Sequence, residues 1–211
     1  MLALLILALF VALPLEALGV VSPIAISVVM TFLLLSGVVA IAEQRRITVV
    51  VSVVAVTSLV LRWAYFIRPD GRIQAYQWAF GMLALGLLTA FLLRHVFRDG
   101  PITSDRIQGA IAVYLLLGMI WCLAYQLVDQ LLPGAFQFSV KRDEQGFFFA
   151  HGLAYFSFVT LTTVGYGDIT PVHPVARTLA VGEALVGQLY PAILIGRLVS
   201  LQIARRPDGS E

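Results

Sequence analysis

The 211-residue chain contains no asparagine, one cysteine and one lysine against thirteen arginines. Without asparagine there is no N-glycosylation sequon. Cys122 alone excludes a disulfide framework or a thiolate metal site within one chain. Charge is also scarce: Lys+Arg 14 and Asp+Glu 12 make up 12% of residues, with a net charge of +2, while 60% are hydrophobic and the mean hydropathy is +0.92. A soluble enzyme, a nucleic-acid binder and a disordered tail each need polar surface that so few ionised residues cannot supply. The chain is therefore expected to live in lipid.

A bilayer core about 30 Å thick takes roughly 20 helical residues to cross, and cutting the apolar runs at charges, prolines and polar clusters predicts six spans. Leu2 to Ala42 is too long for one helix; Pro14, Glu16, Gly19, Ser22 and Pro23 interrupt it, which predicts a two-helix hairpin. Further spans are expected over Ile47–Ile67, Ala75–Leu93, Ile107–Leu132 and Val175–Ile203. A removable signal peptide is not expected, because the N-terminus lacks a basic n-region and a small-residue cleavage site.

With both termini cytoplasmic, Arg45, Arg46, Arg94, Arg98, Arg106, Arg205 and Arg206 fall inside and Arg68, Arg72, Lys141, Arg142 and Arg177 outside, a modest positive-inside bias. Between the last two spans, a polar loop from Pro133 to Gln145 leads into Gly146–Thr162, apolar and helix-like but too short to cross. Such a segment dips and returns, and irregular backbone at that depth is tolerated only when shielded by protein or lining water.

Thr160 to Asp168 then reads TLTTVGYGD. Through this string the chain resembles the potassium-channel family, over a span, pore-helix, filter and span unit from about Ile107 to Ile203. The resemblance implies that Thr163, Val164, Gly165 and Tyr166 offer carbonyl oxygens to dehydrated K⁺, with Gly167 completing the strip. Fixed neutral dipoles can replace an ion's hydration and still release it. A strip of carbonyls facing one axis needs residues in conformations that a Cβ resists, which Gly165 and Gly167 tolerate. The strip carries no carboxylate, which suits K⁺ better than Ca²⁺. Four strips are needed around one ion, so a homotetramer follows. Asp168 would form an acidic ring at the outer mouth.

Two positions depart from the commoner pattern of the family. Tyr155 and Phe156 stand where many members carry two tryptophans, so the collar around Tyr166 is expected to be bonded differently. Val159 stands where some members carry a glutamate.

The last span resembles the inner helix of these channels. Gly187 falls at the family's hinge position, Pro191 removes a backbone hydrogen bond, and Gln188 is expected to face the central cavity. Glu183, one turn before Gly187, needs a partner or a proton inside a membrane. Either a gating group behind the filter or a structural tie fits it. Voltage-gated channels share the six-span layout, but AYQWAFGMLALGLLTAFLLRH in the fourth span has no charge before Arg94, so little voltage dependence is expected. Arg62 is expected to snorkel to the headgroups, with a pair to Glu16 or Asp129 as the alternative.

Trp63, Tyr65, Tyr76, Trp78 and Trp121 fit an interfacial belt. His151 and His173, flanking the pore helix and filter, read as surface residues before pH sensors, and Cys122 as packing.

The expected fold is thus an all-α membrane protein of six transmembrane helices with a re-entrant pore helix and filter between the fifth and sixth, assembled as a tetrameric pore. Residues 1–98 form a four-helix transmembrane region lacking gating arginines and 99–211 a pore domain. The expected function is passive K⁺ conduction at the plasma membrane without catalysis. K⁺ is the permeant ion and no other cofactor is expected. The expected partners are further copies of the chain and membrane lipids. A non-selective cation channel usually alters the filter tyrosine, which is intact here. Gly165-Tyr166-Gly167-Asp168 also fits the GxGD string of intramembrane aspartyl proteases, but the one candidate second aspartate, Asp129, lacks that family's Tyr-Asp pair.

Overall fold

The computed structural model describes residues 1–40, 45–98, 100, 102–139 and 147–203. Lys141, Arg142, Arg205 and Arg206, which entered the charge bias, lie outside the described residues, as do the side chains of Arg45, Arg46 and His151. The chain is mostly helical. Among the described residues, four helices are long and apolar enough to cross a membrane, α4 (Arg45–Ile67), α5 (Gly71–Phe97), α6 (Ser104–Leu131) and α8 (Pro174–Ile203); shorter helical segments precede α4, and another lies between α6 and α8.

The first apolar stretch folds back on itself for a local reason. Helix α1 (Leu2–Leu7) widens into a π-helical turn (Ala8–Ala12) just before Pro14, which has no N–H for the regular ladder, and continues as α2 (Leu13–Ala17). Gly19 then adopts φ +70°, and the Gly19 and Val20 N–H groups return to the Glu16 and Leu15 carbonyls. This glycine-terminated cap satisfies the helix end and frees the chain to start α3 (Pro23–Ala40). Side-chain caps start two of the long helices: Asp70 accepts from Arg72 N (2.8 Å) at α5 and Thr103 from Arg106 N (3.4 Å) at α6.

Helix α6 is the hub, packed against α1, α5, α8 and the short helix α7 (Phe147–Leu161). One apolar core joins Leu5, Leu33, Leu88, Val113 and Leu116 from four different helices. A second surrounds Tyr125, Phe136 and Phe156, whose rings meet edge to face at 5.0–5.4 Å. Phe136 belongs to a feature absent from the all-α expectation. Within the expected polar loop, β1 (Phe136–Phe138) pairs antiparallel with β2 (Ile169–Pro171), and Ser139 N donates to the Asp168 carbonyl at 2.8 Å. Three-residue strands carry no periodicity that a sequence reading could detect.

Two further expectations are corrected. Arg62 follows the alternative given for it, a pair with Glu16, rather than snorkelling: the two line one cavity and their charges interact. A guanidinium inside a helix bundle is held there by an opposite charge rather than by water. Tyr65 and Trp78 line the same cavity and Trp121 stacks on Tyr125 at 6.3 Å, so these three of the five expected belt aromatics turn at least partly inward.

Candidate functional site

Helix α7 is 15 residues long. At about 1.5 Å per residue it reaches about 22 Å, short of a bilayer core of about 30 Å. It ends on a tight turn, with Thr163 N donating to the Thr160 carbonyl (2.9 Å) and Val164 N to the Val159 carbonyl (3.0 Å). Beyond it the backbone takes left-handed angles at alternate residues: Thr163 at φ +60°, Gly165 at +56° and Gly167 at +78°. A regular strand sends successive carbonyls to opposite sides; repeated left-handed residues break that alternation, so a strip built this way can aim consecutive oxygens one way.

The two glycines are the residues that sequence reasoning singled out for this geometry. Thr163 was not, because a β-branched residue at positive φ is an outlier that nothing local announces.

Residues 109–203 match a family model described as "Ion channel". Protein LctB of Geobacillus stearothermophilus is 49% identical over 130 residues, covering 54% of this chain and 92% of that protein. The chain belongs to the family of protein LctB. Protein LctB of Bacillus caldotenax is 51% identical over 45 residues, 21% of this chain and 33% of that protein. The inward rectifier potassium channel Kirbac3.1 of Paramagnetospirillum magnetotacticum is 33% identical over 97 residues, 44% of this chain and 27% of that channel. The channel thus spans about a third or less of these last two proteins. No solved structure matches it at a significant level. The ion-channel match, the potassium-channel relative and the apolar helices mark the protein as a membrane channel and not an enzyme.

The strip of this channel is gripped from three directions. At its inner end Gln188 Nε2 donates to Thr163 Oγ1 at 3.0 Å. Along its side the Tyr155 and Tyr166 rings stack at 6.4 Å with planes 3° apart. At its outer end Asp168 Oδ1 accepts from Ile169 N (3.0 Å), and the carboxylate lies near the Tyr155 hydroxyl. Tyr155 therefore packs on Tyr166 and faces the aspartate. Val164 (53% exposed) and Tyr166 (71%) stand uncovered in the single chain.

Behind the strip, Glu183 is fully buried and accepts from Tyr125 Oη (2.5 Å) and Ser157 Oγ (2.6 Å). The Ser157 hydroxyl also lies 2.7 Å from the Gly118 carbonyl. One carboxyl therefore ties α6, α7 and α8 together. Lower down, Tyr114 Oη donates to the Leu161 carbonyl at the end of α7 (3.3 Å), and Tyr190 Oη to the Ala110 carbonyl (2.8 Å). The two tyrosine rings stack at 6.0 Å.

Gly187 sits where α8 passes this junction. A Cβ added there would lie 1.9 Å from the Leu161 oxygen. Helix α8 itself runs unbroken through Pro191. The expected outer-side His173 accepts from Val175 N at 3.2 Å, as a local turn residue. Cys122 is buried and accepts from Gln126 Nε2 at 3.5 Å.

Sequence reasoning named Glu183 but missed its partners Tyr125 and Ser157, and missed Tyr114 and Tyr190. A signal was present. Glu183, Gly187 and Tyr190 recur at i, i+4 and i+7, one stripe of a helix, and polar groups on one stripe of an apolar span mark the side that meets other helices.

Proposed function

We propose that the chain is a potassium-selective channel: a homotetramer that passes K⁺ passively through a pore lined by the carbonyls of Thr163, Val164, Gly165 and Tyr166. The observation that carries this reading is the TVGYG strip with left-handed backbone at Thr163, Gly165 and Gly167, mounted on the end of a helix too short to cross. An ion stripped of water needs such a cage of neutral oxygens, and four chains around one axis supply it.

Support for assembly comes from the surface. Val164, Tyr166 and an apolar face of α8 including Val181, Leu185 and Leu189 are exposed in one chain, next to residues that would have to approach an axial ion. The inward rectifier potassium channel named above is 33% identical to this chain over 97 residues. In this reading the short helix α7 points its negative end at a central cavity, which favours a cation there. Gln188 faces that cavity, Asp168 rings the outer mouth, and α8 flexes at Pro191, just past the seat of Gly187 on Leu161.

The two shorter apolar helical stretches near the N-terminus form a hairpin beside the four long helices, which cross the plasma membrane with both termini cytoplasmic. Residues 1–98 surround a pore domain of 99–211, and lipids are the remaining partners.

The test is ion flux into vesicles holding the purified full chain, with K⁺, Rb⁺ and Na⁺ offered in turn. K⁺ and Rb⁺ pass and Na⁺ does not, and the Tyr166→Asp variant loses that preference. Equal Na⁺ and K⁺ permeation in the unaltered chain overturns the reading. Because α5 holds no charge between Arg72 and Arg94, the membrane field has little to pull. In planar bilayers the open probability is expected to change little with voltage, and a steep rise would contradict it.

A further inference from the structure

Helix α8 carries two stripes of different character. Glu183, Gly187 and Tyr190 are buried against α6 and α7, whereas a face that includes Val181, Leu185, Gln188 and Leu189 is exposed in the single chain. Between Val181 and Ile195, Gln188 is the one exposed residue with a polar side chain. An amide turned toward lipid tails would lose its hydrogen bonds at a cost. This one has kept a bond: its Nε2 donates to Thr163 Oγ1 at 3.0 Å.

Main chain fixes where the two groups meet. Gly187, the residue before Gln188, sits so close to the Leu161 carbonyl that no Cβ fits between them. Leu161 in turn stands two residues before Thr163. The amide and the hydroxyl are therefore brought together across a contact between two backbones, and the left-handed turn at Thr163 (φ +60°) is part of the same junction.

The bond changes what Thr163 can offer an ion. A hydroxyl oxygen has two lone pairs. The Gln188 N–H occupies one and sets the positive end of its dipole against the oxygen, so the remaining lone pair presents a weaker field. Discrimination among alkali ions depends on the number and field strength of the oxygens that replace water. A smaller ion holds its water more tightly and needs a stronger field to give it up. An oxygen weakened by a donor therefore penalises K⁺ more than the larger Rb⁺ or Cs⁺.

We propose that Gln188 is a positioning residue that sets ionic selectivity: by donating to Thr163 Oγ1 it lowers the field at the inner end of the strip and admits Rb⁺ and Cs⁺ alongside K⁺. This rests on the potassium-channel reading, in which Thr163 faces the permeant ion. Gln188 acts through the hydroxyl and not by touching the ion.

The test is the reversal potential of the purified full chain in planar bilayers, with K⁺ on one side and Rb⁺ or Cs⁺ on the other. This potential gives a permeability ratio whatever the number of conducting molecules, so a loss of stability or assembly alone does not move it. A net hydrogen bond is worth at most about tenfold, and only the part that differs between two ions is read, so Gln188→Leu is expected to raise the preference for K⁺ over Rb⁺ and Cs⁺ by about twofold to threefold. Gln188→Glu, which can only accept from Thr163, shifts the ratios further in the same direction.

The route through the hydroxyl is tested by combination. Beside Thr163→Ser, which keeps the oxygen, Gln188→Leu has its full effect; beside Thr163→Val, which removes it, the same change has none. If Thr163→Val passes no current, the Gln188→Glu shift decides. Unchanged ratios in Gln188→Leu, a shift that persists beside Thr163→Val, or a Gln188→Glu channel that behaves like the unaltered one each overturn this inference and leave the channel reading standing. Equal Na⁺ and K⁺ permeation in the unaltered chain overturns both.

Discussion

Replacing Gly187 with alanine is expected to lower the thermal stability of the detergent-solubilised protein and to suppress K⁺ flux severely. The added methyl would lie 1.9 Å from the Leu161 carbonyl oxygen and 2.8 Å from its carbon, both backbone atoms that cannot rotate away. Either α8 moves outward or the end of α7 shifts, and Leu161 is the last residue of that helix, immediately before the strip. Forced overpacking of this kind costs about 1–3 kcal/mol, occasionally more, and Gly187 belongs at the upper end because the neighbour is main chain.

The result also separates two explanations of the same glycine. If Gly187 served only as a hinge, alanine would stabilise the helix by up to about 1 kcal/mol through propensity while impairing opening. Close approach predicts the opposite sign. Gly196→Ala, on the same helix with nothing within 4 Å of the new carbon, supplies the control and should be neutral or slightly stabilising. Equal melting temperatures for the two variants would show that the contact with Leu161 does not constrain α8.

Glu183→Ala is expected to be the second most damaging change. It strands the Tyr125 and Ser157 hydroxyls, opens a space among three helices and detaches α8 from α7. Interhelical hydrogen bonds in membranes average about 0.6 kcal/mol with maxima near 1.7, and a cavity adds to this, so a loss of about 2–4 kcal/mol per chain is expected. Glu183→Gln keeps the volume and an acceptor oxygen and should retain most of the stability. The comparison is made on the melting temperature of the assembled protein together with K⁺ flux. If alanine and glutamine behave alike and close to the unaltered chain, Glu183 is not the tie that its geometry implies.

What the sequence made legible follows the range of the interactions. Helix existence was readable because it rests on local apolar runs: the long helices fall within a few residues of the expected spans, and the Pro14–Gly19 break sits where punctuation residues cluster. The strip was readable because two glycines at alternate positions are a local requirement of the backbone. Contacts between distant segments were not. The partners of Glu183 lie 26 and 58 residues away in the chain, and nothing in a single sequence pairs Tyr125 with Glu183 rather than with lipid headgroups.

Arg62 misled for the same reason. A cation near a span end looks identical whether it reaches outward or meets Glu16 across a bundle, and only the packing of α2 against its neighbours decides. The β1–β2 pair was invisible because three residues are too few to carry a pattern.

The distribution of ties along α8 has a mechanical corollary. From Pro174 to Tyr190 the helix is clamped by Glu183, by the backbone seat at Gly187 and by the Tyr190 hydroxyl. The next residue is Pro191, and past it Ile193, Ile195 and Val199 are exposed. The helix is thus a beam bolted at one end and cantilevered from the other, with its fulcrum at the Tyr190–Pro191 step. A bending load on the far arm is borne by that step and reaches the strip as torque on the Leu161 junction, not as a shift of the bolted half.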